Sequence, residues 1–202
     1  MVDIAGNTSS AVRSTTRPAA GALPAVGGTG GPAPVFPTGR SATAARYLLA
    51  GIRIALGWVF LWAFLDKVFG LGIATTSAKS WINGGSPTKG FLGSATQGPL
   101  ASLYHAIAGN PLTDALFMAA LLGIGAALLL GVAMRLAGIA GAALTVLMWS
   151  AVLPPASNPF MDDHLVYAAV LILLVLLGAE NTLGLGRRWA QVPLVQRVPW
   201  LR

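Results

Sequence analysis

The residues most able to do chemistry open the last long apolar segment, in the run Asn158-Pro159-Phe160-Met161-Asp162-Asp163-His164. Helix capping explains Asn158 as an N-cap, Pro159 at the first helical position and one carboxylate near the helix start. Capping does not require a second aspartate and a histidine. A carboxylate beside an imidazole that titrates near neutral pH suits proton exchange. We therefore interpret Asp163 and His164 as candidate catalytic residues.

The same side chains do not predict a metal site. Asp162, Asp163 and His164 are consecutive, so they do not share one helix face, and only His105 could add another imidazole. The chain has no cysteine, which excludes disulfides, thiolate metal sites and cysteine-ligated iron–sulfur clusters within it. Because haem-binding motifs and Gly-rich phosphate loops are also missing from the sequence, no resident cofactor is predicted.

Arg53 lies inside the first long apolar segment, where an ionisable side chain is costly and is often functional. Arg46, Arg53, Phe60 and Lys67 recur at intervals of seven and therefore line one side of a helix. Arg53 has two possible roles. It could bind a ligand, or it could be structural, either by pairing within the protein or by extending its guanidinium towards the interface at Arg46, about 10 Å away along the axis. Lys67 either neutralises a helix C-terminus or, with Asp66, forms an ion pair or contacts an anion.

The elements that position these residues are apolar. The chain of 202 residues is 55% hydrophobic and 9% charged, against about 25% charged residues in an ordinary soluble domain. The missing charge predicts a surface that faces the lipid bilayer. The formal net charge is +7, but the basic residues form no stripe on a soluble module, so nucleic-acid binding is not predicted.

Hydropathy predicts an all-α integral membrane protein, a bundle of four transmembrane helices with a long outer loop between helices 1 and 2. The membrane domain is predicted over 44–186, with spans at about 47–69, 115–131, 136–153 and 164–179. Residues 1–43 are predicted to be a disordered tail and residues 187–202 a basic tail. The apolar piece from about Leu100 to Ala108 is too short to cross ~30 Å of hydrocarbon and predicts an interfacial or re-entrant helix.

The arginine distribution predicts the orientation. With the N-terminus inside, every arginine except Arg53 falls on the cytoplasmic side, as the positive-inside rule favours. We predict a multi-pass plasma-membrane protein with both termini cytoplasmic and the long loop outside. Both histidines and most acids then lie at the outer face, where polar chemistry is expected.

Taken together, these features resemble the DoxX/DoxD family of four-helix membrane proteins over about residues 44–190. The residues that carry the resemblance are Arg53, Gly57 and Asp66-Lys67, the loop from Trp81 to Leu92, Gly-rich second and third spans, and the run from Asn158 to His164. The chain especially resembles the form identified as the large subunit of thiosulfate:quinone oxidoreductase. The resemblance implies oxidation of thiosulfate to tetrathionate, with membrane quinone as the electron acceptor.

The resemblance also implies roles for individual residues. Lys67, Lys79 and Lys89 would attract thiosulfate, and backbone N–H groups between Gly84 and Gly90 would cradle it. Quinone would stack near Trp62 or Trp81, whose default role is interfacial anchoring, or Arg53 would hold its carbonyl. His164, oriented by Asp163, would pass protons to the reduced quinone.

Two other classes of function stay open. Some relatives are described as membrane partners of redox and oxidative-stress proteins, which implies a non-catalytic scaffold with a small redox subunit or a soluble redox partner. A small-molecule transporter ranks lowest, because the sequence has no visible inverted repeat or pair of discontinuous helices.

Overall fold

The computed structural model describes residues 39–156 and 158–201, in which all regular secondary structure is helical. The α-helices are α1 (Gly39–Phe69), α2 (Ala101–Ile107), α3 (Pro111–Leu130), α4 (Met134–Ala151), α5 (Asp163–Leu176), α6 (Gly186–Trp189) and α7 (Pro193–Arg197). Short 3-10 turns occupy Ser77–Lys79, Trp81–Asn83, Ala179–Asn181 and Pro199–Leu201, and Phe91–Ala95 forms one π-helical turn.

Three helices, α1, α3 and α4, are long and apolar enough to cross a membrane. Only 28%, 33% and 39% of the residues in their most apolar stretches are buried within the protein. Large apolar side chains such as Leu112, Leu116 and Leu147 are therefore exposed, a surface typical of helices that contact lipid. The all-helical prediction is confirmed over the described residues, and the length and apolar surfaces of these three helices suggest a membrane location.

Helix α5 is apolar but shorter than the predicted span 164–179. It has 14 residues, or about 21 Å at ~1.5 Å per residue, against ~30 Å of hydrocarbon. The helix ends at Leu176, and Gly178 then adopts the left-handed conformation at φ 63°. The helix therefore ends three residues before the predicted bound at 179, because Gly178 stops it earlier.

The other helix boundaries also differ from the predictions. Helix α1 begins at Gly39, so residues 39–43 are not part of a tail, and residues 1–38 lie outside the described part of the chain. Helix α3 begins four residues before the expected 115, because Asn110 caps it through Leu112 N–H and Pro111 occupies the first turn. The expected apolar helix near 100–108 is present as α2.

The predicted basic tail is folded over its described residues. Val195 in α7 is fully buried, and the Trp189 indole N–H donates to the Leu201 carbonyl. The turn at Pro199–Leu201 packs against α4. The burial of Val195 and these contacts hold the segment against the rest of the protein, which its arginine content alone did not predict.

The core lies between α1, α3, α4 and α5, with Phe60, Met118, Leu128 and Leu171 among its buried side chains. Helices α1 and α3 are antiparallel, and so are α4 and α5. A Cβ at Gly57 or Gly125 would lie within 3 Å of the backbone of the partner helix, so these glycines allow α1 and α3 to approach closely.

Two names follow from this arrangement. The loop end is the end of the bundle at Phe69, Pro111, Ala151 and Asp163, and the arginine end is the opposite one, at Leu130, Met134 and Leu176.

Candidate functional site

A buried carboxylate at the loop end holds the segment 86–92 against α3. Asp114 is 6% exposed, and its Oδ1 accepts from Ser86 Oγ at 3.0 Å, from Thr88 N–H at 3.1 Å and from Thr88 Oγ1 at 2.5 Å. Thr88 Oγ1 in turn accepts the Gly109 N–H at 3.1 Å. These bonds fix the segment 86–92 at the first turn of α3, and we call the Asp114–Thr88 contact the loop clamp.

One face of the segment borders a polar cavity of about 470 Å³. Its lining is small, polar or basic, and comprises Ala78, Lys79, Asn83, Gly84, Gly85, Ser86, Lys89, Gly90 and Gly109. Among the described residues, two exposed lysines and no acid line this space, so its electrostatic potential favours an anion. The structure thus places Lys79 and Lys89, which were both predicted to attract an anion, at one cavity.

The predicted cradle of backbone N–H groups is largely wrong, because most of these donors are used inside the protein. Gly84 N–H donates to the Trp81 carbonyl, and Gly85 N–H donates to the Ser80 carbonyl. The N–H groups of Thr88 and Lys89 donate to Asp114 Oδ1 and Ser86 Oγ. The positive character of the polar cavity therefore comes mainly from its lysine side chains.

Gly85 sits where no side chain fits. A Cβ there would lie 2.0 Å from the Lys79 carbonyl oxygen, which is backbone and cannot move alone. Gly85→Ala is expected to push the turn at Trp81–Asn83 away from residue 85 and to weaken anion binding about tenfold, since Lys79 moves with it. Isothermal titration with sulfate as the probe measures this. Gly90→Ala is the matched control, because a Cβ at Gly90 meets nothing; equal effects of the two changes would contradict the prediction.

The opposite face of the segment borders an apolar cavity of about 350 Å³. The cavity lies between the segment, α2, α3 and α4, and is lined by Pro87, Thr88, Phe91, Leu92, Tyr104, Ile107, Thr113, Leu116, Phe117, Ala120, Leu144, Leu147 and Met148. The buried Tyr104 hydroxyl contacts Ser150 Oγ at 2.5 Å and donates to the Leu147 carbonyl at 3.1 Å. A mostly apolar lining with a few fixed polar groups is typical of a small-molecule site.

The two cavities share one wall. Ser86, Lys89 and Gly90 line the polar cavity, whereas Pro87, Thr88, Phe91 and Leu92 line the apolar cavity. The loop clamp therefore sets the shape of both spaces at once.

His164 pairs with a different carboxylate from the one expected. Its Nδ1 lies 2.7 Å from Asp162 Oδ2, and its backbone N–H donates to Asp162 Oδ1 at 3.0 Å. Asp163 is exposed. Asp162 rather than Asp163 therefore orients the imidazole, because the N-cap position turns its side chain back over the first turn of α5.

The expected cap at Asn158 is also absent from α5. Asn158 instead closes a separate turn, with its Oδ1 accepting from the N–H groups of Phe160 and Met161. The Trp149 indole N–H donates to the Phe160 carbonyl at 2.8 Å and ties this turn to α4. The His164–Asp162 pair lies at the loop end, but it lines neither cavity described above.

Three other predicted residues are also at the loop end. Trp81 is 38% exposed in its 3-10 turn, and Lys67 is partly buried near the end of α1. Asp66 is 1% exposed, and neither of its carboxylate oxygens has a hydrogen-bond partner within the described chain. Asp66 and Lys67 form no salt bridge, because consecutive helical side chains do not face each other.

Arg53 lies far from this group, at the arginine end. The side chain is fully buried, with Nη1 donating to the carbonyls of Leu128 at 2.5 Å and Leu129 at 3.3 Å. Its Nη2 donates to the carbonyls of Leu183 at 2.8 Å and Thr182 at 3.4 Å. This geometry supports structural pairing: Arg53 satisfies carbonyls at the C-terminus of α3.

Sequence reasoning missed the residues that build the cavities. Asp114, Thr88 and Tyr104 were not predicted as site residues. The position of Asp114, four residues after the Asn110 cap, could have indicated that this carboxylate contacts an ordered loop. Within residues 39–156 and 158–201, no group of three His, Asp or Glu side chains is placed to hold a metal ion.

Comparison with known proteins leaves the family open. No protein-family model matches the chain, and neither the curated proteins nor the solved structures contain a significant match.

Proposed function

We propose that the chain is a membrane oxidoreductase subunit of DoxX/DoxD type that binds thiosulfate in the polar cavity and membrane quinone in the apolar cavity. The shared wall at 86–92 carries this proposal, because it separates a lysine-lined space from an apolar space by a single stretch of chain. A donor dianion and an apolar acceptor would then lie on opposite faces of one segment.

The reaction balances without a group bound permanently to the chain. Two thiosulfate ions lose one electron each and join through a new S–S bond to form tetrathionate. Quinone takes up the two electrons together with two protons and leaves as quinol. Lys79 and Lys89 supply the attraction for the dianions, and Tyr104 supplies a polar group beside the apolar site.

Protons for the quinone would enter from water at the loop end. The His164–Asp162 pair lines neither cavity and would act through intervening water: the carboxylate holds the imidazole in one orientation, and the other ring nitrogen can exchange protons. His164→Ala is expected to lower quinone reduction about tenfold or more, and Asp162→Asn by less. Asp163→Asn is the matched control and should leave the rate unchanged, because this carboxylate is exposed and forms no hydrogen bond or ion pair with the ring. Equal losses for Asp162→Asn and Asp163→Asn would contradict the assignment.

The proposal includes a four-span bundle with both termini cytoplasmic. Helix α5 would be the fourth span, and the loop end would face outwards, away from the arginines. The absence of cysteine makes labelling direct: Lys79→Cys should react with a membrane-impermeant maleimide in intact cells, and Arg188→Cys should react only after the membrane is opened. The reverse pattern would overturn the orientation.

The deciding assay is reduction of a soluble quinone analogue by the purified full chain, with and without thiosulfate. Reduction that depends on thiosulfate and yields tetrathionate supports the enzyme. If folded protein binds both ligands but gives no turnover, the chain is the membrane partner of a separate redox subunit. If neither ligand binds, the proposal fails.

A further inference from the structure

A third cavity, at the arginine end, has the chemistry of a phosphate site. It measures about 280 Å³ and is lined by Thr43, Arg46, Tyr47, Asn181, Thr182, Leu183 and Arg187. Two guanidinium groups therefore face one small space, beside side chains that donate hydrogen bonds. Glu180, the acid nearest in sequence, lines the neighbouring cavity, to which Asn181 and Arg187 also contribute.

Arg53 fixes the floor of this cavity from inside the protein. Its Nη2 donates to the carbonyls of Thr182 and Leu183, and both residues line the cavity. Leu183 has φ 51°, a left-handed backbone conformation that residues other than glycine rarely adopt. Such strain persists where surrounding contacts determine it and is common at ligand sites.

The cavity lies at the border between polar and apolar parts of α1. Arg46 and Tyr47 immediately precede the apolar run that begins at Leu48, and Tyr is enriched at the membrane–water interface. Tyr47 and Leu183 are 56% and 63% exposed beside the two arginines. A ligand bound here would place its charged group against the guanidinium groups and its uncharged part against an apolar surface.

We propose that this cavity binds the phosphate ester of an anionic phospholipid headgroup. Arginine pairs strongly with phosphate because its planar donors match two phosphate oxygens. The exposed Tyr47 and Leu183 favour a lipid over a free phosphate ester, since a soluble anion gains nothing from an apolar border.

The test is native mass spectrometry of the delipidated full chain in neutral detergent at about 0.15 M salt, titrated with phosphatidylglycerol. The double variant Arg46→Gln/Arg187→Gln is expected to bind this lipid about 25-fold more weakly, because each arginine contributes roughly fivefold. The double variant Arg188→Gln/Arg197→Gln has the same net charge but leaves the cavity intact, and should change binding less than about fivefold.

Each outcome decides the proposal. Selective loss in the first double variant, with weaker binding of phosphatidylcholine by the unmodified chain, supports it. Equal loss in both double variants overturns it in favour of diffuse charge attraction. Competition by glycerol 3-phosphate at the same concentration as the lipid assigns the site to a soluble phosphate ester and overturns the lipid. Thermal unfolding of all variants confirms that these exposed substitutions leave the fold intact.

Discussion

Arg53→Met is expected to lower the free energy of unfolding by about 1–3 kcal/mol, because it removes the donor of hydrogen bonds to four backbone carbonyls. Nη1 and Nη2 reach carbonyls of Leu128 and Leu129 on α3 and of Thr182 and Leu183 after α5. Without the guanidinium these carbonyls lose its hydrogen bonds, and the left-handed backbone at Leu183 loses the contact that supports it. Unfolding in mixed micelles, followed by circular dichroism, measures the change.

The matched control for Arg53→Met is Arg46→Met, one heptad earlier on the same side of α1. Arg46 is exposed, so its loss should change the free energy of unfolding by less than about 0.5 kcal/mol. Arg53→Lys should recover part of the loss, since one ammonium cannot reach both groups of carbonyls. Equal stabilities for Arg53→Met and Arg46→Met would show that the network contributes nothing.

Asp114→Ala is expected to release the segment 86–92 and to speed its hydrogen exchange about 30- to 150-fold, which corresponds to about 2–3 kcal/mol. Oδ1 accepts three hydrogen bonds, two of them from Thr88. The amides of Thr88 and Gly109 should respond most, because Gly109 N–H bonds to Thr88 Oγ1. Hydrogen–deuterium exchange mass spectrometry of peptides covering 86–92 and 109 reads this directly.

The same substitution separates one shared wall from two independent sites. If residues 86–92 serve both cavities, Asp114→Ala should weaken sulfate and quinone-analogue binding together. Asp163→Ala, which removes an exposed carboxylate at the same end, should alter neither exchange nor binding. Loss of one ligand alone would mean that the clamp supports a single cavity.

Much of the fold could be predicted from the sequence, because apolar length is a strong signal. The three helices that can cross a membrane were placed within a few residues at most ends, and the short helix α2 was found from its apolar run. The larger errors have local causes. Helix α1 begins in polar sequence before its apolar stretch, where hydropathy gives no signal. Gly178 ends α5 through a left-handed backbone conformation, which hydropathy does not report either.

The site was harder to predict because its contacts join distant parts of the chain. Lys79 and Lys89 line the same cavity, and the close packing of residue 85 on the Lys79 carbonyl is not visible in the sequence. Arg53 was recognisable as costly in an apolar helix, but its partners are carbonyls, which every residue has and no sequence pattern marks. Which of Asp162 and Asp163 orients the His164 imidazole depends on the residue at which α5 begins, and the sequence does not give that residue.

The shortness of α5 has a consequence for the lipid around it. A helix of 14 residues falls about 9 Å short of a typical hydrocarbon layer. If α5 is the proposed fourth span, the bilayer beside it must thin, or polar groups at the ends of α5 must lie below the headgroups. Either adjustment would bring water towards His164, so that the surroundings of this side chain would depend on the local membrane thickness.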